Sequence, residues 1–235
     1  VRGDPDIRDP REVLPILEEI HKRKAQESKL VIESRIIEMP ILYQDPWSHD
    51  VLMRFRDRHQ DPNASDLEYC ARINGFASVD EFIGAHSSRL HIATFVAFMP
   101  GNAECYQLVP KDQQLEAPKY VRPRTDTPDR ALGFGGAFST IYPVQGAGGF
   151  QLLGRCAVPV YEAQQSFGPF EANAVLPKGG DIFQYRPIDM GEYEEIRLQV
   201  EAGTYKYRIG LLEFDLSKFR EDPIGYPQTL AEALP

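Results

Sequence analysis

The sequence predicts an α+β fold in which an N-terminal α/β segment is followed by an all-β sandwich or barrel. Helical periodicity dominates the first part of the chain, and from about residue 90 short apolar and β-branched runs replace it. Turn residues are dense between those runs, as is typical of an all-β fold. We therefore predict an α/β domain at 1–95, a β-domain at 96–215 and a C-terminal tail at 216–235.

Four helices and one strand are predicted in the first domain. A helix begins at Asp9, and a strand follows at 31–37, where most residues are β-branched. Ser48 precedes a second helix, and Ser-x-x-Glu capping boxes at 65–68 and 78–81 begin a third and a fourth. The first helix has one apolar face, made of Val13, Leu14, Ile16, Leu17 and Ile20.

Short strand-like runs predict the β-domain. The first covers 91–98 and ends before the Pro-Gly turn at 100–101. Tyrosine and isoleucine alternate with lysine and arginine over 205–209, which predicts a strand with one solvated face. The paired glycines at 179–180 are typical of a hairpin turn. Four further runs lie at 151–155, 158–161, 181–185 and 197–200.

Composition excludes several classes of partner and site. Lys and Arg total 26 against 35 Asp and Glu, so the net charge is −9, and we expect neither nucleic acid nor a membrane as a partner. No apolar run approaches the roughly 20 residues of a spanning helix. Three cysteines without a CxxC pair argue against a disulfide framework and for a cytoplasmic location. No histidine pairs with a cysteine at ligand spacing, so no metal site is predicted.

Single histidines and cysteines give weak signals. We expect His86 and His91 to pack or to cap rather than to act in catalysis, and His59 to lie on an exposed helix face. Cys156 follows an arginine, but nothing beside it marks a nucleophile, so a buried structural thiol is the favoured interpretation.

Two glycine clusters, at 133–136 and 146–149, have two interpretations that the residues alone leave open. Glycine lets backbone N–H groups approach a ligand closely, which favours an anion or carboxyl site. The same residues also suit the tight corners of a barrel. A P-loop is excluded because no Gly-Lys-Ser/Thr follows, and a Rossmann fingerprint fits poorly because no helical pattern succeeds the glycines.

A basic loop lies just before these clusters. Lys119, Arg122 and Arg124 fall within six positions and are held by two nearby prolines, so they could bind a carboxylate or phosphate, or form a solvated loop. Gln151 and Arg155 follow the second cluster at a spacing of four, which places them on one face of a strand.

A longer pattern, YPVQGAGGFQLLGR at 142–155, resembles the IYP…PGG(W/Y)…GR signature of the carboxyltransferase family. That family includes allophanate hydrolase subunit 1, the 5-oxoprolinase subunit PxpB, the kinase inhibitor KipI and one half of the carboxyltransferase domain of urea carboxylase. The HSS…F-x-PG pattern at 86–101 and the turn at 179–181 are similar to further family segments. The resemblance covers about residues 30–190 and is strongest to the urea carboxylase branch. Residues 102–104, Asn-Ala-Glu, stand where the family usually has aromatic residues.

The resemblance implies a small α/β domain followed by a cyclophilin-like antiparallel β-barrel. It implies one subunit of a two-part, biotin-dependent carboxyltransferase that acts on a urea-like or amide nitrogen at a site shared with a homologous second subunit. Carboxybiotin would arrive on a partner, with biotin carboxylase and a biotin carrier in the assembly, and ATP would be used at the level of that assembly. No metal is expected in this chain.

The positions of residues within the motifs that carry this resemblance imply which of them form the site. Cations and backbone donors would stabilise the charge that develops on the biotin ureido oxygen and on the moving carboxylate. The expected catalytic residues are Arg124, Tyr142, Gln151 and Arg155, and the expected binding residues are Lys119, Gly135, Gly136, Gly148 and Gly149.

Two alternatives remain within the family. The first is an ATP-dependent lactam or amide hydrolase subunit, of the type of allophanate hydrolase subunit 1 or the 5-oxoprolinase subunit, which would need ATP but no biotin. The second is a non-catalytic inhibitor that docks a histidine kinase. A pull-down that recovers a kinase rather than a homologous second subunit would favour it.

Overall fold

A closed β-barrel of seven strands forms the centre of the computed structural model, which describes residues 7, 9–26 and 30–235. The strands of the described chain are β1 (Val31–Tyr43), β2 (Leu90–Val96), β3 (Ala103–Gln107), β4 (Arg124–Thr127), β5 (Ala131–Gly135), β6 (Phe138–Ile141), β7 (Gly146–Gly148), β8 (Gln151–Cys156), β9 (Ile182–Pro187) and β10 (Ile209–Asp215). The helices are α1 (Pro10–Gln26), α2 (Pro46–Arg54), α3 (Asp66–Ile73), α4 (Val79–Ser87), α5 (Met190–Glu201), α6 (Leu216–Glu221) and α7 (Gly225–Ala231).

The barrel closes because β1 bonds to strands on both of its edges. The order is β1-β8-β5-β6-β3-β2-β9, and β9 returns to β1 in parallel, with Ile36 opposite Ile182. The other strand pairs of the barrel are antiparallel, and β10 and β8 follow one another along the second edge of β1. The predicted α+β class with a β-barrel is confirmed.

Two barrel strands come from the first 96 residues of the chain. β1 and all but the last residue of β2 lie within the predicted α/β domain at 1–95, yet both strands pair with β9 and close the barrel. Helices α2, α3 and α4 form an excursion between these two strands, and α3 packs on β8. The interpretation that the barrel begins only after residue 95 is therefore corrected, because helices flank β1 and β2 on one side in the sequence, while the strand that joins them in the barrel, β9, lies far along the chain.

Helix α5 replaces the strand predicted at 197–200. Asp189 caps this helix by accepting a hydrogen bond from the Glu192 amide at 2.9 Å, and Tyr193 and Ile196, three positions apart, are buried. Residues 158–161 form no strand either, and the strand predicted at 205–209 instead begins at Ile209. The capping residue and the three-residue spacing decide the helix.

The predicted C-terminal tail is folded against the barrel. Helices α6 and α7 occupy most of it, and Leu230 is buried in a cluster with Ile36, Ile182 and Phe214. The backbone amide of Asp215 donates to Tyr226 Oη at 2.8 Å. Residues 216–235 are therefore part of the packed structure.

The helix predicted at the start of the chain is present as α1, but its apolar face is not buried. Leu14, Ile16, Leu17 and Ile20 are all exposed in the structure. Pro15 lies beyond the first turn, inside the helix. No helix in the described ranges combines the length and the apolar content that crossing a bilayer requires.

The predicted capping box of α3 is present and gives a stability prediction. The Glu68 amide donates to Ser65 Oγ at 3.2 Å, and the Ser65 amide donates to Glu68 Oε2 at 2.6 Å. We expect Ser65→Ala to lower the free energy of unfolding by about 1 kcal/mol in a urea titration, and Ser65→Asp to retain most of it because aspartate also caps. An unchanged midpoint for the alanine variant would show that the cap contributes nothing.

Candidate functional site

A cavity of about 240 Å³ lies on the outside of the barrel, where the loop before β4 meets the turn between β7 and β8. We call it the candidate cavity. Residues from four separate stretches of the chain converge on it, which explains why no single motif describes it. Its polar and glycine lining consists of Asn102, Glu104, Lys119, Thr140, Tyr142, Gly148 and Gly149, and its remaining walls are Phe98, Tyr120, Pro123 and Phe150.

The second glycine cluster holds Tyr142 in place. A Cβ on Gly148 would lie 2.6 Å from Tyr142 Oη and 2.8 Å from Thr127 Oγ1, so only glycine allows this close approach. Burial raises the pKa of Tyr142, while the Arg124 charge and the amides of Phe150 and Gly149 beside its oxygen lower it. The hydroxyl therefore stays protonated at neutral pH and can donate a hydrogen bond into the cavity.

The first glycine cluster shapes the wall behind the cavity rather than its surface. A Cβ on Gly135 would lie 2.8 Å from Phe150 Cδ1 and 3.0 Å from Lys119 Cγ. The Gly136 amide donates to the Ala117 carbonyl at 2.7 Å, which ties the loop that carries Lys119 to β5. This N–H is already bonded, so Gly136 acts on the cavity through the position of that loop.

Lys119 and Glu104 bring opposite charges to the cavity. Lys119 Nζ lies 4.4 Å from the centroid of the Phe150 ring. Burial raises the pKa of Glu104, and the charge of Lys119 lowers it to a smaller extent. Glu104 is not among the site residues that the sequence predicts. One signal in the sequence pointed to it, because a carboxylate stands there in place of the aromatic residues usual in the family.

Arg124 lies behind the cavity wall, on β4. Its side chain is fully buried, Nη2 donates to the Phe150 carbonyl at 2.7 Å, and the guanidinium lies 4.6 Å from the centroid of the Tyr120 ring. Within the part of the chain that the structure describes, Nε and Nη1 have no hydrogen-bond acceptor and no carboxylate lies within 4 Å. A buried cation without a counter-charge is costly, so an anionic ligand would stabilise it.

A buried polar cluster supports Tyr120 beneath the cavity. Tyr120 Oη donates to Asp66 Oδ1 at 2.5 Å, and Asp66 Oδ2 accepts from the Leu152 amide at 2.6 Å. His59 Nε2 lies 3.1 Å from Asp66 Oδ1. The prediction that His59 is exposed is wrong, because residues 56–58 form a 3-10 turn and the face of α2 does not continue to it.

Arg155 lines a different cavity. Its guanidinium forms an ion pair with Asp129 and lies 4.8 Å from the Trp47 ring centroid, in a cavity of about 180 Å³. Gln151 is buried and donates to the Pro118 carbonyl at 2.8 Å. The register between β5 and β8 shifts by one residue at Leu153, and such a bulge reverses the alternation of faces. The predicted shared face of Gln151 and Arg155 is therefore lost.

The structure thus divides the predicted site residues into three groups. Lys119, Tyr142, Gly148 and Gly149 line the candidate cavity. Arg124, Gly135 and Gly136 lie behind its wall, and Gln151 supports the loop that carries Lys119. Arg155 belongs to the Trp47 side of the molecule.

The remaining titratable residues behave as the sequence predicts. His86 and His91 are fully buried in the barrel, and the ring nitrogens of His86 lie 2.9 Å from Tyr43 Oη and 2.8 Å from Ser139 Oγ. Cys156 is also buried, and burial raises the pKa of its thiol to about 12. The predicted burial of Cys156 is confirmed, and His86 and His91 occupy packed positions in the barrel.

The chain matches one family model and is similar to several known proteins. The family model described as carboxyltransferase domain, subdomain C and D, matches residues 1–169. The urea amidolyase of Saccharomyces cerevisiae is 24% identical over 197 residues, which are 80% of this chain and 10% of that protein. A 5-oxoprolinase subunit of Escherichia coli is 25% identical over 186 residues, 79% of this chain and 73% of that protein. The chain therefore spans about a tenth of the first relative and nearly three quarters of the second.

A solved structure has a similar fold. The crystal structure of the K. lactis urea amidolyase matches with a TM-score of 0.79 at 21% sequence identity, over 96% of this chain and 14% of that one. At this identity the likeness concerns the fold. The barrel and the helices packed around it are therefore an architecture that a larger protein also contains.

Proposed function

The chain belongs to the family of the carboxyltransferase domain, subdomain C and D, and we propose that it is one part of a two-part enzyme that moves a carboxyl group from carboxybiotin to a urea-like or amide nitrogen. One observation carries this proposal. Arg124 is fully buried behind the candidate cavity with two unpartnered guanidinium nitrogens in the described structure. Such a cation suits a site where negative charge develops.

The residues present fit a ureido ring and a moving carboxyl group. Bound carboxybiotin would supply the activated carboxyl group. Tyr142 Oη and Lys119 Nζ provide donors at the cavity surface, and the buried Arg124 adds a positive field from behind. The rings of Tyr120 and Phe150 form apolar walls of the cavity, and a low-dielectric wall strengthens these interactions.

Arg155 contributes less to this chemistry. Its guanidinium is paired with Asp129, a carboxylate that it shares with Arg130, and Trp47 covers it. The cationic role expected for it passes to Lys119 and Arg124, which have no carboxylate within 4 Å among the described residues. Arg155 instead connects the start of α2 to the loop after β4.

The expected partner is a homologous second subunit, with biotin carboxylase and a biotin carrier in the same assembly. Exposed apolar side chains beside the cavity support a protein contact there. Phe98, at the cavity rim, is 68% exposed, and Val121, in the loop before β4, is 86% exposed. Exposed apolar groups of this kind are typical of interaction sites.

The proposal is tested by titrating free biotin into the purified protein and measuring heat or ligand-detected NMR signals. We expect Arg124→Lys to weaken binding about tenfold, because lysine keeps the charge but loses the planar donor fork. Arg122→Lys is the matched control, since Arg122 lies on the same loop, two positions away, and its side chain is 66% exposed. Absent binding in the unaltered protein, or equal weakening in both variants, would overturn the proposal.

A second candidate function is an ATP-dependent amide hydrolase subunit of the 5-oxoprolinase type. The similarity to the E. coli 5-oxoprolinase subunit favours it, because that relative is matched over 73% of its own length. Turnover of a lactam that requires ATP and persists in the presence of avidin would support this function. Turnover abolished by avidin would support biotin-dependent transfer.

A further inference from the structure

Glu104 is the one carboxylate among the residues that line the candidate cavity, all of which lie in the described ranges. Its position on β3 explains its direction. Buried and partly exposed residues alternate along β3: Ala103 and Cys105 are buried, and Glu104 between them is partly exposed. The side chain therefore faces away from the barrel interior and towards the cavity.

The charge of Glu104 is not neutralised by a neighbour. Within the described part of the chain, its carboxylate takes part in no hydrogen bond and no ion pair within 4 Å, while its backbone carbonyl accepts a hydrogen bond from Thr94 Oγ1 at 2.9 Å. Lys119 lowers the pKa of Glu104 through its charge, so the two groups lie on the same cavity without closing on each other. Each is free to contact a ligand between them.

A ligand that matches this arrangement has an N–H donor on one side and a carbonyl acceptor on the other. Glu104 accepts from the N–H, and Lys119 or Tyr142 donates to the carbonyl oxygen. A neutral amide or ureido group meets both demands. An acceptor with its own carboxylate would bring to Glu104 a negative charge beyond that of the transferring carboxyl group, which the cations stabilise, and like charges oppose binding.

We infer that Glu104 is a specificity-determining residue that makes the cavity prefer neutral amide or ureido acceptors over acceptors that carry a carboxylate. The inference rests on the proposed function, since it concerns the acceptor used at the same site. The Glu104 carboxylate repels acceptors that carry a carboxylate, while the cavity walls and the hydrogen-bond donors contact both kinds of acceptor. A volume of about 240 Å³ further limits the acceptor to a small molecule.

A matched pair of lactams tests this inference. The ligands 2-pyrrolidinone and 5-oxoproline share one ring and differ by a carboxylate, and both are titrated into the purified protein. We expect the neutral lactam to bind about tenfold more tightly, and Glu104→Gln to bring the ratio close to one, because glutamine keeps the shape and removes the charge. Glu104→Asp should preserve the preference.

Glu116→Gln is the control, because Glu116 is an exposed carboxylate that does not line the cavity. It should leave the ratio unchanged. Failure of the unaltered protein to bind 2-pyrrolidinone, a preference for 5-oxoproline, or an unchanged ratio in Glu104→Gln would overturn the inference. Biotin binding that still depends on Arg124 would then leave the proposed function standing, so the two failures are distinguishable.

Discussion

Acidification from about pH 7 to about pH 4.5 is expected to remove several kcal/mol from the free energy of unfolding, because two histidines are buried in their neutral form. His86 and His91 are fully buried, and their ring centroids are 4.9 Å apart. Burial lowers the pKa of His86 well below its usual 6.5 and that of His91 to about 3. Protonation of either ring would place a charge inside the barrel.

The sign follows from which state binds protons first. The unfolded chain takes up protons below about pH 6.5, while the folded protein does not, so stability is complete above that pH and declines as the pH falls. Each histidine contributes a loss of about 1 kcal/mol per pH unit in this window. Asp45 works in the opposite direction, because burial raises its pKa and the folded state holds its proton more tightly.

Urea titrations at a series of pH values measure this loss. We expect His91→Leu to flatten the acid slope by about 1 kcal/mol per pH unit, since it removes one buried imidazole, whose Nε2 has no hydrogen-bond partner in the described structure. His49→Gln, at an exposed position, controls for the loss of a histidine. The same slope in His91→Leu as in the unaltered protein would contradict this account.

A methyl group at position 148 is expected to weaken biotin binding about a hundredfold, through an overpacking cost of up to about 3 kcal/mol. The added Cβ would overlap Tyr142 Oη at 2.6 Å and Thr127 Oγ1 at 2.8 Å. Tyr142 is displaced more easily than Thr127, because the tyrosine ring borders the open candidate cavity. Gly148→Ala should therefore push the tyrosine into the space that the ligand needs.

Gly146→Ala is the matched control on the same strand. A Cβ there approaches nothing closer than Met99 Cε at 3.8 Å, and Gly146 does not line the cavity. Both variants are compared by the biotin titration, with circular dichroism to verify the fold. Equal affinity of Gly148→Ala and the unaltered protein would show that the close packing around Tyr142 does not shape the site.

Local signals in the sequence predicted helix boundaries where the structure has them. Ser65 and Ser78 accept the hydrogen bonds of their capping positions, and the chain leaves α3 through Gly75 with a positive φ of 79°. These features depend on residues three or four positions apart. The same kind of local reasoning failed at 197–200, where the helix depends on the cap at Asp189 eight residues earlier.

Which of the predicted site residues meet at one cavity depends on contacts between residues that are distant in the sequence. The motif at 142–155 identified Tyr142, Gly148 and Gly149 as neighbours of one site, and the structure places all three on the candidate cavity. It also joined Arg155 to them, whereas the structure places Arg155 in a different cavity beside Trp47, and the register shift at Leu153 separates it from Gln151. One inserted residue in a strand exchanges its two faces, and nothing in the spacing of the sequence records it.

The sequence by itself determined the α+β class, the family and most of the residues around the glycine turn, because these follow from local composition and from a contiguous motif. Only the tertiary structure decided that β1 and β2 belong to the barrel and that Glu104 and Lys119 line one cavity. It also decided that Arg124 is buried without a counter-charge among the described residues. The physical reason is that strand pairing, burial and the field at a charge are set by groups distant in the chain, which meet only when the barrel closes.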